Sequence, residues 1–412
     1  MDAAAFDRRL CPGLATPVAV GFSGGGDSLA ALLMAKAWSD RNGRRLIVLT
    51  VDHRLQPAAA GWTTFAAETA YRIGAEFRAL AWEDDKPTRG LPAAARDARH
   101  RLLAGAARSA GARVIVLGHT ADDRLEGEVM RSWGLNLGTP REWSPSPVWP
   151  EGRGLFLFRP LLGMRRASLR AWLEARGESW IDDPANADPA QARARARAQL
   201  AGGGEARTLE PDYGNASGLA RAATLIAGGT LSLDRHALRV ARPEAARRAL
   251  ATAALSAGGG SRPPRGPRLA ALAAQLAGPG PVSATLCGSK IIAGDTQVLI
   301  ARDAGEAARG GLQPMALRLG EAVVWDGRFE LTADRAGLTV RPLAGLAGRL
   351  DPAERRALAV LLSLARPALP AIVDADGRVT CPFLAGGPVR AIDLVQARMQ
   401  AACGAISQEP AT

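Results

Sequence analysis

A six-residue stretch near the start of the chain places small, hydroxyl and acidic residues between two apolar runs: Ser23, Gly24, Gly25, Gly26, Asp27 and Ser28. Glycine lets a backbone approach a ligand closely, and the first turn of a helix leaves N–H groups that bind phosphate. Asp27 is unusual here, because a carboxylate repels phosphate, and it suits a metal ion or an orienting role. The stretch predicts a phosphate-binding loop; a plain glycine-rich turn between strand and helix is the alternative interpretation.

A second polar stretch runs from His119 to Glu126, with the sequence His-Thr-Ala-Asp-Asp-Arg-Leu-Glu. Asp123 and Glu126 stand three residues apart on a predicted helix and therefore share one face, where two carboxylates suit an ammonium group. Asp122 is offset and suits a helix terminus or a metal ion. Two plainer interpretations stay open: acids commonly stabilise the first turn of a helix through its dipole, and a histidine at a strand end can belong to the core.

Alternating strands and helices surround these two stretches. Strands are predicted at 18–22, 45–51, 77–82 and 113–118, and helices at 29–38, at 59–73, from Pro92 onward and at 122–132. This alternation predicts an α/β domain with a doubly wound parallel sheet. Ligands of such sheets bind beyond the carboxyl ends of the strands. Those ends hold Ser23–Ser28, Asp52-His53 and His119–Asp123, so one binding site is predicted there.

Weaker signals follow along the rest of the N-terminal region. Residues 138–154 are rich in Pro, Gly and Trp and are predicted to be irregular. Ser168 is predicted to cap a helix that Gly177 ends. Residues 191–200 form a further predicted helix, which contains Arg193, Arg195 and Arg197, and the glycines of 201–204 form the first predicted linker.

Beyond this linker the pattern predicts smaller domains of mixed α+β structure. The predicted elements are helices near 217–227, 243–257 and 269–276, a hairpin of 284–286 with 298–301, strands at 322–325 and 329–332, and a helix that begins at Asp351 with a capping-box-like arrangement. We therefore expect three domains, at 1–204, 205–310 and 311–412.

The charge balance of the 412 residues is strongly basic, with 52 Lys and Arg against 40 Asp and Glu, for a net charge of +12. An excess of this kind fits a polyanionic partner, above all a nucleic acid. Arginine supplies nearly all of the positive charge. Genomic composition bias explains the choice of arginine over lysine, but it does not explain the excess of bases over acids.

Cysteine usage and hydropathy exclude several classes of protein. The cysteines are Cys11, Cys287, Cys381 and Cys403, and none forms a C-x-x-C pair, so zinc and iron–sulfur signatures are absent and a disulfide framework is not expected at this size. The N-terminus lacks the apolar core of a signal peptide. The apolar run 357–365 is too short to cross a bilayer. We expect a cytoplasmic protein with no membrane partner.

Several segments taken together resemble one known family. In chain order they are Ser23–Ser28, Val51-Asp-His-Arg-Leu55, Ala95-Arg-x-x-Arg99, Leu117-Gly-His-Thr-Ala-Asp-Asp-x-x-Glu126, Arg159-Pro-Leu-Leu-x-x-x-Arg166 and Trp180-x-Asp-Asp-Pro-x-Asn-x-Asp188. This order resembles the bacterial tRNA(Ile)-lysidine synthetases of the ATP pyrophosphatase superfamily. The resemblance is close over about 15–200 and weaker beyond, at Pro263-Pro-Arg265 and 325–329. His100 replaces a common tyrosine, and the usual Arg-Asn-Arg after Asp188 is missing.

The resemblance implies a reaction. ATP adenylates the C2 oxygen of the wobble cytidine in the isoleucine tRNA with a CAU anticodon, and the amine of free L-lysine then displaces AMP to give lysidine. It implies ATP and Mg²⁺ as cofactors, tRNA binding by the two C-terminal domains, and a homodimer as one candidate assembly. The implied catalytic residues are Asp27, Asp123, Glu126, Arg99 and His119. The implied nucleotide contacts are Ser23–Ser28, Val51 and His53, with Asp27 as metal ligand, and the implied tRNA contacts are Arg193, Arg195, Arg197 and Arg265.

Plainer roles stay open for some of these residues, because Arg99 also fits a surface arginine and 191–200 also fits a solvated helix face. Two other functions are alternatives: a tRNA thiolation enzyme of the same superfamily, against which the missing C-x-x-C pair counts, and a non-catalytic nucleic-acid-binding module with a vestigial nucleotide fold.

Overall fold

The computed structural model describes residues 4–56, 58–183, 188–201 and 214–411. The described residues form two compact units, one made of 4–201 together with 406–411 and the other of 214–405. The expected boundary at 204 lies outside the described residues, and the division at 310 stays a prediction. The last six described residues differ from expectation, because they belong to the first unit and not to a C-terminal domain.

The helices and strands of the first unit are, in chain order, α1 (Ala4–Arg9), β1 (Val18–Gly21), α2 (Gly26–Arg41), β2 (Leu46–Asp52), α3 (Ala59–Arg72), β3 (Glu76–Ala81), α4 (Leu91–Ser109), β4 (Val114–Leu117), α5 (Ala121–Ser132), β5 (Trp143–Pro145), β6 (Phe156–Phe158), α6 (Arg166–Glu174) and α7 (Ala192–Leu200). The alternation predicted between 18 and 132 is confirmed.

These strands form one six-stranded sheet in the order β3-β2-β1-β4-β6-β5. The pairs β3–β2, β2–β1, β1–β4 and β4–β6 are parallel, and β5 joins the edge antiparallel. The predicted doubly wound α/β fold is thereby confirmed. The strand order reverses between β1 and β4, and a reversal of this kind opens a crevice beyond the carboxyl ends of the two strands.

The core of the sheet explains why these segments became strands. The apolar residues of β1, β2 and β4 are almost all buried, as expected for parallel strands that helices cover on both faces. On one face, Ile47, Leu49 and Ile115 pack with Leu103 and Ala107 of α4. This packing fixes the carboxyl ends of three neighbouring strands side by side.

Three details of the first unit differ from the prediction. The 138–154 segment and its continuation contain β5 and β6, which are only three residues long and lie among Pro and Gly. Ser168 does not cap α6. The helix begins two residues earlier, at Arg166, with Arg165 at the cap position. Similarly, α2 begins at Gly26, inside the glycine stretch.

The final residues of the chain dock on the first unit through a buried ion pair. Arg44 donates from Nη1 to Oε2 of Glu409 at 2.7 Å and from Nη2 to Oε1 at 2.9 Å. The Arg44 side chain is 1% exposed and the Glu409 side chain is 0% exposed. The Glu409 N–H donates to the carbonyl of Arg9, and the indole N–H of Trp143 donates to the carbonyl of Ile406. The first unit thus includes residues from both ends of the described chain.

The helices and strands of the second unit are α8 (Gly214–Ala222), β7 (Thr224–Ile226), β8 (Thr230–Asp234), α9 (Arg235–Val240), α10 (Pro243–Ala257), α11 (Gly266–Ala277), β9 (Val282–Leu286), β10 (Ser289–Ala293), β11 (Gln297–Arg302), β12 (Met315–Leu317), β13 (Ala322–Trp325), β14 (Phe329–Ala333), β15 (Leu338–Pro342), α12 (Pro352–Val360), β16 (Pro370–Val373), β17 (Val379–Thr380), β18 (Val389–Asp393) and α13 (Val395–Ala402).

These strands form three antiparallel sheets, ordered β7-β8-β11-β10-β9, β12-β15-β16-β17 and β13-β14-β18. The expected mixed α+β character is confirmed, as are α10, the strands β13 and β14 and the Asp351 cap of α12. The predicted hairpin of 284–286 with 298–301 is wrong, because β10 lies between these two strands. The predicted helix at 217–227 ends at Ala222 and gives way to β7.

None of the helices in the described part of the chain combines the length and the apolar character that crossing a bilayer requires.

Candidate active site

The predicted phosphate loop connects the end of β1 to the start of α2. The Ser28 hydroxyl donates to the Gly25 carbonyl at 2.8 Å and accepts the Ser23 N–H at 3.2 Å, so the two serines hold the loop in shape. Gly24 has φ +84°, and a Cβ there would lie 2.7 Å from Cδ1 of Ile181. The left-handed backbone at this position therefore favours glycine, and a side chain here would also displace the end of the Ile181 side chain.

The end of β4 lies directly against this loop. A Cβ at Gly118 would come within 2.5 Å of the Asp27 carbonyl oxygen, a distance that no real side chain tolerates. The missing side chain lets the two backbones touch. As a result, His119 and the start of α5 lie beside the phosphate loop.

A cavity of about 520 Å³ opens at the carboxyl ends of β1, β2 and β4, a size typical of small-molecule sites. The predicted site residues that line it are Ser23, Gly25, Gly26, Asp27, Ser28, Val51, His53, Arg99, His119, Asp123, Arg193 and Arg197. The structure therefore brings together residues from five separate predicted segments. Gly24 shapes the loop without lining the cavity, and Arg265 belongs to the second unit.

Arg166, at the start of α6, bridges the two polar stretches. Its Nε donates to Oδ2 of Asp27 at 2.8 Å and its Nη1 donates to Oε1 of Glu126 at 3.0 Å. Burial lowers the pKa of the Arg166 guanidinium, but the hydrogen bond and charge of Asp27 and the charge of Glu126 raise it above its ordinary value. The cation is therefore permanently charged.

Asp27 has a raised pKa because burial disfavours its charged form, and Arg166 opposes that effect. Among the described residues, no group of three or more His, Cys, Asp and Glu is placed to hold a metal ion. Asp27 is the carboxylate of the phosphate loop itself, so a metal ion there would take its further ligands from a substrate, from water or from other acids that line the cavity.

Glu126 does not line the cavity, because three arginines cover it. Its side chain is 1% exposed. Besides Arg166, Nε of Arg197 lies 2.9 Å from Oε1 and Nε of Arg193 lies 3.3 Å from Oε2. The pairing of α7 with α5 was not predicted, although Arg193 and Arg197 are four residues apart and so share a helix face.

Asp123 combines the two roles considered from the sequence. Its Oδ2 accepts the Thr120 N–H at 2.8 Å and the Thr120 hydroxyl at 3.0 Å, which completes a capping box at the start of α5. Its Oδ1 faces Arg166 at 3.8 Å and Arg193 at 3.7 Å. One oxygen therefore serves the helix, and the other belongs to the charged cluster beside the cavity.

Two histidines present unpaired nitrogens at the cavity. Among the described residues, Nδ1 of His53 and Nδ1 of His119 are buried and have no hydrogen-bond partner. The pKa of His119 lies well below its ordinary value because of burial and the nearby charges of Arg159 and Arg99. A neutral imidazole with an unused nitrogen fits contact with a ligand better than it fits a satisfied core histidine.

Arg99 and Arg195 differ in their surroundings. Burial and the charge of Arg96 lower the pKa of Arg99 to about 10, and within the described part of the chain its buried Nε has no hydrogen-bond partner. Arg195 lies outside the cavity. Its guanidinium carbon is 5.8 Å from the centre of the Trp133 ring, and the group donates to the Pro189 and Ala190 carbonyls. Arg99 is therefore available to an anion in the cavity, whereas Arg195 faces solvent.

Comparison with known proteins identifies the family. A family model, the PP-loop domain, matches residues 5–202. A tRNA(Ile)-lysidine synthase from Caulobacter vibrioides is 47% identical over 99% of this chain and 98% of its own length. Proteins of the same name from Hyphomonas neptunium and Mesorhizobium japonicum are 36% and 35% identical, over 72% and 89% of this chain and 84% and 86% of their own lengths.

The chain belongs to the tRNA(Ile)-lysidine synthase family. The resemblance drawn from the sequence is thereby confirmed, and the PP-loop match supports the predicted use of ATP. As a member of the tRNA(Ile)-lysidine synthase family, the protein carries the phosphate loop and the acidic pair Asp123 and Glu126 at one edge of one sheet.

The thiolation alternative is not favoured by the positions of the cysteines. Among the described residues the four cysteines form no disulfide, and none of them lines the cavity. The sequence does not predict Arg166 as a site residue, although it ends the motif at 159–166. It stands two residues before the predicted cap Ser168, and a single arginine there carries no local signal for the two acids that it contacts.

Proposed function

We propose that the protein joins L-lysine to C2 of the wobble cytidine of the isoleucine tRNA with a CAU anticodon, with ATP as the energy source and AMP, pyrophosphate and lysidine as products. The observation that carries the proposal is the single cavity that brings the PP-loop next to Asp123 and the covered Glu126, in a chain of this family. The cavity thus offers a phosphate site and an amine site within one space.

The phosphate loop would hold ATP. Gly26, Asp27 and Ser28 at the start of α2 line the cavity together with Ser23. Helix-start N–H groups and serine hydroxyls are donors that suit a triphosphate. Arg99 adds a cation whose Nε lacks a partner among the described residues. These donors stabilise the charge that develops on the leaving pyrophosphate when the cytidine C2 oxygen attacks the α-phosphate.

Mg²⁺ fits this site in the way it usually binds nucleotides, through one or two carboxylates together with phosphate oxygens. Asp27 would be the protein ligand, since its carboxylate lines the cavity beside the loop. When bound, the ion would neutralise charge on the phosphates. In that role Asp27 would give up its hydrogen bond to Arg166.

Asp123 and Glu126 would hold the amine of lysine. The amine must lose its proton before it attacks C2, and a carboxylate at hydrogen-bond distance is a suitable acceptor. Because arginines cover Glu126, an ammonium group reaches its carboxylate only when at least one guanidinium withdraws. The amine then attacks C2 and AMP leaves.

Exposed arginines would bind the tRNA backbone. Arg195 on α7 and Arg265 in the second unit are exposed, and Arg193 and Arg197 lie at the cavity mouth, where a flipped base would enter. Each arginine that contacts a phosphate releases counterions, so binding should weaken as salt rises.

The test is incubation of the full-length protein with ATP, labelled L-lysine and the CAU-anticodon tRNA, followed by nucleoside analysis. Label in a modified cytidine, with equimolar pyrophosphate release, is the expected result. A tRNA with uridine at the wobble position and an Asp27→Asn variant serve as controls. Pyrophosphate release without lysine incorporation, or incorporation of sulfur in its place, would contradict the proposal.

A further inference from the structure

Arg166 contacts the ATP half and the amine half of the cavity with a single guanidinium. It is mostly buried, and it holds Asp27 of the phosphate loop at 2.8 Å and Glu126 of α5 at 3.0 Å. Its own backbone N–H donates to Asp122 at 2.7 Å, which fixes the start of α6 against the start of α5. The backbone of Arg166 is therefore fixed beside the two acids, and its side chain is the part that can exchange partners.

Three neighbouring arginines also pair with acids of α5. Arg193 and Arg197 come from α7 and contact Glu126. Arg165 is more exposed and, among the described residues, pairs with Asp122 only. Arg166 is thus the described cation that joins an acid of the phosphate loop to an acid of the amine site.

A bound triphosphate and a divalent cation would both change the charges around Arg166. An anionic triphosphate in the cavity attracts Arg166, and a divalent cation on the phosphates competes with Arg166 for Asp27. Both changes draw the guanidinium away from its present position and leave the Glu126 carboxylate with less cationic cover. A lysine ammonium group then finds a better acceptor than it does in the free protein.

We infer that Arg166 is a positioning residue that couples the two substrate sites, so that bound ATP raises the affinity for lysine. The inference rests on the proposed function, because it assigns ATP and lysine to these two halves of the cavity. Coupling between sites is reciprocal, so bound lysine raises the affinity for ATP by the same factor.

Calorimetric titration of the full-length protein without tRNA measures this coupling, since no acceptor is present for adenylation. L-Lysine is titrated with and without saturating ATP and Mg²⁺. We expect the lysine Kd of the wild type to fall about tenfold when ATP is present, within the usual range of coupling factors. Arg166→Gln should reduce that factor to less than about twofold, whereas the matched control Arg165→Gln should keep it.

The outcomes separate the inference from the function on which it rests. A wild type that binds neither ATP nor lysine refutes the proposed function. A wild type that binds both with an unchanged lysine Kd, or an Arg166→Gln variant that keeps the wild-type factor, refutes the coupling alone. If circular dichroism shows that Arg166→Gln is unfolded, Arg166→Lys replaces it. One ammonium cannot hold both acids at these distances, so its coupling factor should also fall, and a wild-type factor in that variant overturns the inference.

Discussion

Glu409→Gln tests whether the end of the chain is an integral part of the first unit. The carboxylate of Glu409 is fully buried against Arg44, which donates to both of its oxygens. Two further donors point at it, the Cys11 N–H at 3.2 Å and the Thr16 hydroxyl at 3.3 Å. A glutamine of the same shape keeps one acceptor oxygen, but it leaves the buried guanidinium without a counter-charge.

The expected loss follows from that burial. Removing one partner of a buried ion pair costs about 3–5 kcal/mol, because the other charge stays desolvated and unpaired. Exposed pairs are worth about 0–1 kcal/mol. Glu83→Gln is the matched control: Glu83 and its partner Arg54 are 66% and 54% exposed, so the change should cost less than about 0.5 kcal/mol.

Urea unfolding followed by tryptophan fluorescence measures the free energy of unfolding of the first unit in the wild type and in each variant. The chain has nine tryptophans, and all except Trp325 lie in the part of the sequence that forms the first unit. The Glu409→Gln curve should shift to lower urea with the same slope. A loss below about 1 kcal/mol would mean that the pair is solvated, and the tail would then be an accessory to the fold. In a double variant with Arg44→Met, part of the loss should be recovered, since a buried pair often tolerates joint replacement by apolar residues.

Three further predictions concern the cavity and the tRNA surface. Glu126→Gln should raise the KM for lysine by about tenfold to a hundredfold in steady-state assays, because a charge-assisted hydrogen bond is worth about 1.5–3 kcal/mol. ATP affinity should stay nearly unchanged. Unaltered lysine kinetics with a lower Tm would mean that Glu126 has a purely structural role. Burial and the charges of Arg99, Arg96 and Arg159 lower the pKa of His100 to about 3, so its contribution to stability is present above pH 6.5 and is lost as pH falls below it. The wild type should lose about 2 kcal/mol more than His100→Asn between pH 7 and pH 5 in urea titrations, and equal losses would exclude this effect. Arg195→Gln and Arg265→Gln should each reduce the salt slope of tRNA binding by about one, and an unchanged slope would assign that arginine to a solvated face.

The sequence predicted the sheet well because its central strands carry a strong local signal. Buried parallel strands are continuous apolar runs, and the runs at 18–22, 45–51 and 113–118 have that form. Helix α10 has the predicted bounds, since Pro243 stands at its first position and Gly258 follows its end. The position of the site followed from the sheet, because polar residues at neighbouring strand ends must meet.

The missed strand β10 shows where local signals fail. It is joined to β9 by a two-residue turn in which Cys287 has φ +50° and Gly288 has φ +75°. Tight hairpins of this kind usually carry Asn-Gly or Asp-Gly, and a cysteine at the first position gives no such signal. Because this turn has no recognisable sequence signal, the prediction pairs 284–286 with the next apolar run, which is β11.

Charges on α7 show a limit of a different kind. The alternating arginines of 193–197 place Arg193 and Arg197 on one face and Arg195 on another, which helical geometry predicts. The sequence does not say which face packs on α5, because Arg-Ala repeats have no apolar stripe to fix the orientation. Only the docking of α7 decides that two of these arginines cover Glu126.

Helix α6 contains both the wrongly predicted cap, Ser168, and the site residue that the sequence did not predict, Arg166. The sequence predicts Ser168 as the cap because a capping side chain normally lies next to the helix that it serves. The actual acceptor at this helix start is Asp122, 44 residues earlier, which takes the Arg166 N–H at 2.7 Å and pairs with Arg165. This contact also places the Arg166 side chain within hydrogen-bond distance of Asp27 and Glu126. A cap from a residue distant in sequence thus determines both where the helix begins and where Arg166 bridges the two acids, and the local sequence predicts neither.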